Sequence, residues 1–263
     1  MKGEIRGFLI DRDGVLTVTD GKIPWQHELG RRRVYNYVQM VNRGKFPKIE
    51  ICTGQEYGST ESTLFDIGIP NWWSIIESGV FLFNRWTKQV RENPALTQEV
   101  KEVFQEISQL RIPRILSRYP NDLFLYPGNQ ICVAIELKEG ANFTIEQAYE
   151  EILEEVRDLV KGKLVTIHPS SIAVDLSPAN IDKASGVRFL CETEGIDPAD
   201  LFGIGDSPGD FPLFAAVGHI GCPANATFKC KEEVTRRGGI ISNKPYAAGV
   251  ADILYRVTGV RWS

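Results

Sequence analysis

The sequence predicts an α/β fold: an open, mostly parallel sheet flanked by helices and interrupted by an inserted α+β segment. Three observations carry that expectation. The run Gly7-Phe8-Leu9-Ile10 is continuously apolar and leads into Asp11, as expected for a strand buried on both faces of a helix-covered sheet. Strand-like and helix-like patterns alternate up to about residue 76 and again after Pro178, which is the order of a parallel sheet. Between these stretches the alternation breaks, and helices are followed by pairs of strand-like runs.

Taken in order, the first strand is followed by a helix over about 28–43, with Val34, Val38 and Val41 at helical spacing. Residues 49–52 form a second strand that ends at Thr53-Gly54. A short helix then leads to a third strand at 73–76 and the turn Glu77-Ser78-Gly79. In the insert, Val100, Val103, Phe104, Ile107 and Leu110 mark a helix, and residues 114–117 and 131–137 read as strands. A long helix opens on a capping box, Thr144 to Gln147, and carries Ile145, Ile152, Val156 and Leu159 inward. Strands at 164–167 and 172–176 close the segment. A helix near Lys183, a strand at 201–205 running into Asp206, a short strand at 219–221 and a helix over 248–257 complete the chain. The division expected is a core of 1–84 and 179–263 with an α+β domain of 85–178 inserted in it.

Composition bounds the function. With 263 residues, 43% hydrophobic and 24% charged, the chain has the make-up of an ordinary soluble globular protein. A net charge of −4, without a concentrated basic face, argues against nucleic acid as a partner. Arg31-Arg32-Arg33 reads as a solvated helix face. No apolar stretch reaches membrane-spanning length, and the N-terminus enters a strand-like run without a signal-peptide pattern. The five cysteines show neither paired nor metal-type spacing, which suits reduced thiols and a cytoplasmic protein.

Four short segments place polar groups just after an apolar strand or at a helix start, where open α/β sheets bind ligands. In Asp11-Arg12-Asp13-Gly14, two carboxylates two residues apart face one way if the backbone stays extended. One can attack phosphorus and the other can move a proton. Thr53-Gly54 offers a hydroxyl and a backbone N–H to a phosphoryl oxygen, though alone it reads more often as a simple helix entry. Lys183 can neutralise phosphoryl charge, though taken singly it reads as a surface lysine. Gly205-Asp206-Ser207-Pro208-Gly209-Asp210 sets two acids in a tight turn, a natural site for Mg²⁺. Its glycines are wrongly spaced for a dinucleotide loop.

Together and in this order, these segments resemble the haloacid dehalogenase (HAD) superfamily. The resemblance spans the chain. An insert between the second and third motifs is similar to the group that includes Cof-like hydrolases, sucrose-phosphate phosphatases and phosphomannomutases. Glu77-Ser78-Gly79 resembles the Glu-Asn-Gly turn of that group, and Ala224-Asn225-Ala226 its Asn-Ala segment. The resemblance implies a Rossmann-like parallel-sheet core with an inserted cap. It implies a phosphatase acting through an aspartyl-phosphate, with Asp11 as nucleophile and Asp13 as general acid/base. Thr53, Gly54, Lys183 and Asn225 would meet the phosphoryl group. Mg²⁺ would be held by Asp11, Asp206 and the main-chain carbonyl of Asp13, with Asp210 as ligand or close support. The implied partner is a small phosphorylated metabolite, such as a sugar phosphate or phosphorylated sugar acid.

The chain departs from its relatives at several positions. Gln55 stands where they often carry Arg, Ala184 replaces the usual Gly after the lysine, and Gly209 stands where Asn is common. Arg118, Tyr126, His168 and Ser170 lie near strand ends or turns of the insert and do not name a substrate. Two other functions stay open at the level of sequence. One is phosphoryl transfer within a sugar, as in a phosphomutase, and the other is a non-catalytic binding module on the same scaffold.

Overall fold

In a computed structural model of the chain, residues 4–18, 25–170 and 173–260 are described. The chain divides into two compact units, Met1–Arg91 with Lys183–Ser263, and Glu92–Asp182. The insert expected at 85–178 thus compares with a unit that starts seven residues later and ends four later.

The first unit is built on β1 (Gly7–Ile10), α1 (Trp25–Val41), β2 (Lys48–Ile51), α2 (Tyr57–Ile67) and β3 (Ser74–Ile76). A hairpin pair, β4 (Phe81–Asn84) and β5 (Gln89–Glu92), extends β3 into a three-stranded sheet in the order β3-β4-β5. Alternation-based reading missed this pair, because Phe81-Leu82-Phe83 is apolar throughout and Gln89–Glu92 is exposed throughout. Neither strand shows the two-residue period that marks a half-buried strand.

The second unit contains α3 (Gln98–Glu106), α4 (Ile112–Arg118), β6 (Leu123–Leu125), β7 (Val133–Leu137), α5 (Ile145–Lys161), β8 (Val165–Pro169) and β9 (Ala173–Pro178). Its sheet runs β6-β7-β9-β8, antiparallel throughout. The strand expected at 114–117 is instead the helix α4. A single π-turn over Ile107–Arg111 joins α3 to α4, so Phe104, Ile107, Ile112 and Ile115 continue one buried stripe. Pro113 sits in the first turn of α4, where the missing N–H costs little. The capping box of α5 forms as expected: Thr144 Oγ1 accepts from Gln147 N–H, and the Gln147 side chain accepts from Thr144 N–H. Ile152, Val156 and Leu159 are buried along that helix, each stabilising by roughly 1.5–3 kcal/mol. Of the strand expected at 172–176, Ile172 lies outside the described residues.

The chain returns to the first unit with α6 (Lys183–Glu194), β10 (Leu201–Ile204), α7 (Phe211–Ala216), β11 (His219–Cys222), α8 (Phe228–Arg236), β12 (Ile240–Ile241) and α9 (Tyr246–Thr258). The central sheet is parallel, in the order β12-β11-β10-β1-β2. β1 is therefore flanked on both sides. All four of its residues are buried, as the unbroken apolar run predicts. An isolated parallel bridge, Cys52↔Ile75, carries the sheet's hydrogen bonding on toward β3.

Among the described residues, no helix is long and apolar enough to cross a membrane. None of the five cysteines is in a disulfide.

Candidate active site

The carboxyl ends of β1 and β10 and the first turn of α6 bring Asp11, Lys183, Asp206 and Asp210 together. Asp11 follows the last residue of β1, and its N–H donates to the Ile204 carbonyl at the end of β10. That bond holds the two strand ends side by side, so the loop carrying Asp206 lies next to Asp11. Lys183 is the first residue of α6 and is buried. Its Nζ donates to Asp11 Oδ1 at 2.8 Å and to Asp210 Oδ1 at 2.7 Å.

Two glycines make this approach possible. Gly14 has φ +73°, and a Cβ there would lie 2.2 Å from Asp206 Oδ2. A Cβ at Gly205 would lie 2.3 Å from Asp210 Cγ. Any side chain at either position would push an acid out of the cluster.

Asp210 is fully buried, and its second oxygen accepts the N–H groups of Asp206 and Ser207. Both its oxygens are thus engaged, and it shapes the loop that presents Asp206. Thr227 N–H and Oγ1 both donate to the Asp206 carbonyl, fixing that loop from the start of α8.

One carboxylate oxygen from each of Asp11, Asp206 and Asp210 lies within 4.8 Å of the others. The electrostatics of the cluster are unbalanced: three buried or half-buried acids face a single lysine. Burial and the charge of Asp210 push Asp11 up to about 8, even against the pull of Lys183. Asp206 rises to about 6 through burial and the same neighbour. Burial draws Lys183 toward the neutral form, but Asp11 and Asp210 outweigh it and hold its pKa well above the ordinary lysine value. A hard divalent cation fits this donor set, which is all oxygen, closely spaced and short of positive charge.

Asp13 stands apart from the cluster. Its Oδ1 accepts from Arg12 Nη1 at 2.5 Å and Thr17 Oγ1 at 3.0 Å, and its Oδ2 accepts from Gln55 Nε2 at 2.8 Å. Arg12 Nε also donates to Thr63 Oγ1 on α2. Thr53 is buried, and its Oγ1 accepts the Gln55 N–H at 3.1 Å; Gly54 beside it is exposed. Asn225, expected at the phosphoryl group, has both ends of its amide engaged by main chain. Nδ2 donates to the Gly14 carbonyl and Oδ1 accepts from Tyr246 N–H, each at 2.7 Å. It ties the start of α9 to the Asp11–Gly14 loop.

The contacts of Arg12 and Gln55 with Asp13 were not foreseen from the sequence. The only signal was the departure at 55, a polar residue two places after a buried threonine.

A family model described as haloacid dehalogenase-like hydrolase matches residues 117–254, more than half of the chain. The phosphoglycolate phosphatase of Methanospirillum hungatei is 36% identical over 107 residues, 41% of this chain and 44% of that one. The 5-amino-6-(5-phospho-D-ribitylamino)uracil phosphatase YwtE of Bacillus subtilis is 26% identical over 140 residues, 53% of this chain and 44% of its own. The matches thus span about half the length of these curated relatives. The sucrose-phosphatase of Synechocystis, solved with sucrose and phosphate, shares the fold. Its TM-score is 0.65 at 16% identity, with 97% of this chain and 98% of that one covered.

Proposed function

The chain belongs to the haloacid dehalogenase-like hydrolases, and on that premise we propose that it is a Mg²⁺-dependent phosphatase of small phosphate monoesters. The observation that carries this reading is the buried Asp11 carboxylate at the end of the central strand. It is paired with Lys183, lies beside Asp206 and Asp210, and is followed two residues later by Asp13.

Asp11 attacks phosphorus, and the bond to the ester oxygen breaks. Asp13 gives that oxygen a proton, so the alcohol leaves and phosphate stays on Asp11. The Asp13 carboxylate then takes a proton from water as the water attacks phosphorus, which frees inorganic phosphate and restores Asp11. Lys183 faces the negative charge that gathers on the phosphoryl oxygens. The Thr53 hydroxyl and Gly54 N–H are the proposed donors to the same group. Asp11, Asp206 and the main-chain carbonyl of Asp13, with Asp210 beside them, would hold Mg²⁺, which when bound offsets the repulsion between carboxylates and phosphate dianion.

A sugar phosphate or a phosphorylated sugar acid is the proposed substrate class. The named relatives are phosphatases of phosphoglycolate and of a phosphoribitylaminouracil, both small phosphate monoesters. The unit Glu92–Asp182 is the proposed cap, the part of the chain that discriminates between leaving groups.

The test is phosphate release from a panel of phosphorylated metabolites, with Mg²⁺ or with chelator, by the unsubstituted protein and by Asp11→Asn. Release that needs Mg²⁺ and is lost in the variant is expected. A protein that releases phosphate from no member, or whose release survives Asp11→Asn, would overturn the reading.

A further inference from the structure

We infer that Gln55 is a positioning residue for Asp13, holding Oδ2 as the oxygen that passes the proton to the leaving group. This rests on the phosphatase reading above, in which Asp13 is the proton donor.

The two oxygens of Asp13 have different surroundings. Oδ1 receives two donors, the Arg12 guanidinium and the Thr17 hydroxyl. A guanidinium has donors only and bonds most strongly to an oxygen that keeps its negative charge. Among the described residues, Oδ2 receives one contact, from the neutral Gln55 amide at 2.8 Å. Oδ2, beside Gln55, is therefore the oxygen better placed to carry the proton.

An amide differs from a guanidinium in a way that matters here. It presents a donor and an acceptor on one plane, and turning the amide by half a rotation exchanges them. Gln55 can donate to the Oδ2 of a carboxylate and accept from the Oδ2–H of a carboxylic acid. An arginine at this position could do only the first.

The backbone of Gln55 is held for this task. Its N–H donates to Thr53 Oγ1 at 3.1 Å, and its carbonyl accepts from Glu77 N–H at 2.9 Å. Ser78 N–H donates to the Thr53 carbonyl at 3.0 Å. Glu77 and Ser78 adopt positive φ, 45° and 55°, a conformation that costs free energy in residues other than glycine. The turn over Glu77–Gly79 is thereby shaped to clamp the Thr53–Gln55 loop from outside the sheet. On Oδ1, Arg12 is itself tied to Thr63 of α2 at 2.9 Å. Oδ2 is thus anchored through the Gln55 side chain to fixed backbone, and Oδ1 through Arg12 to a side chain of α2, the arrangement that preorganises a catalytic group.

The experiment uses the whole chain with Mg²⁺ and compares kcat/KM for two esters, the best alkyl phosphate of the panel and p-nitrophenyl phosphate. This ratio reports steps up to departure of the leaving group. An alkoxide needs the proton to leave, and a nitrophenolate needs it far less. Gln55→Met, which keeps the length of the side chain and removes its polar atoms, is expected to lower kcat/KM for the alkyl ester by about tenfold or more. The nitrophenyl ester is expected to change by less than about threefold. Gln55→Asn, which draws the amide back by one methylene, is expected to give the same split.

Equal losses on both esters, as from a disturbed fold, or no loss on either, would overturn the inference while leaving the phosphatase reading intact. Absence of Asp11-dependent release in the unsubstituted protein would instead overturn that reading, and this inference with it.

Discussion

Asp11 and Glu50 are buried carboxyl groups on adjacent parallel strands, and both are pushed up to about 8. Their surroundings differ. Asp11 stands past the end of β1, next to a lysine and two more acids. Glu50 lies within β2, paired in register with Leu9, and its Oε1 accepts from Ile51 N–H at 3.1 Å and Ser74 Oγ at 3.0 Å. For Asp11 the cause is burial plus repulsion from Asp210, opposed by Lys183. For Glu50 it is burial, partly relieved by those two hydrogen bonds. The same shift has two remedies. Added positive charge can return Asp11 to its ionised form, whereas these contacts of Glu50 include no charged partner to do the same. A raised carboxyl is a sign of chemistry only when cations or further acids converge on it.

Four experiments can break or sharpen that contrast. The largest effect is expected from Asp11→Asn, which should lower Mg²⁺-dependent phosphate release by roughly 10³-fold or more. Glu50→Gln, assayed beside it, should stay within about twofold at pH 7, since Glu50 takes no part in the chemistry. A large loss in Glu50→Gln without unfolding would erase the distinction.

Next is Lys183→Met. It leaves Asp11 and Asp210 without their cation, and chelator-treated protein should lose about 3–5 kcal/mol in urea unfolding. Mg²⁺ should recover part of that loss, because it would bind the folded cluster alone. A variant as stable as the parent in chelator would show that the three acids do not depend on the lysine.

Third is the pH dependence of stability. The folded-state pKa of Glu50 lies above its unfolded value, so its contribution is fully present below the unfolded value near 4.5 and is lost as pH rises through about 8. Glu50→Gln should therefore gain on the parent by about 1 kcal/mol per pH unit between pH 5 and 8, then level off. A gap between the two that does not vary with pH would place an ionised glutamate in the sheet.

The smallest effect concerns metal binding. Asp11 holds a proton below about pH 8, and a cation must displace it. Apparent Mg²⁺ affinity should rise about tenfold per pH unit from 6 to 8. Calorimetry at pH 7 in buffers of different ionisation enthalpy should detect about one proton released per ion bound. Binding that is independent of both pH and buffer would mean that Asp11 is already ionised.

Much of this site was legible because chemistry and local structure coincide along the chain. Asp11 and Asp206 follow short apolar runs that read as buried strands, and Lys183 opens a helix. The glycines at 14 and 205 stand where side chains would collide with acids. Each of those signals lies within a few residues of the group it predicts. Glu50 gave no such signal, since one acid in Lys48–Ile51 reads as the exposed member of an alternating strand. The hydroxyl that meets its buried carboxyl, that of Ser74, comes from 24 residues away. Residues 114–117 look strand-like taken alone, whereas the buried stripe continued from α3 settles the helix.

By itself the sequence determined the parallel character of the core, the strand ends that carry the acids and the residue types able to move a phosphoryl group. These follow from burial patterns and turn chemistry, which are local. The tertiary structure decided which groups meet: Lys183 with Asp11 across 172 residues, Gln55 with Asp13 across 42, and Asn225 with the main chain of Gly14 and Tyr246. Hydrogen bonds and buried charges act over about 3 Å in space, and separation along a chain carries no record of that distance until the chain is folded.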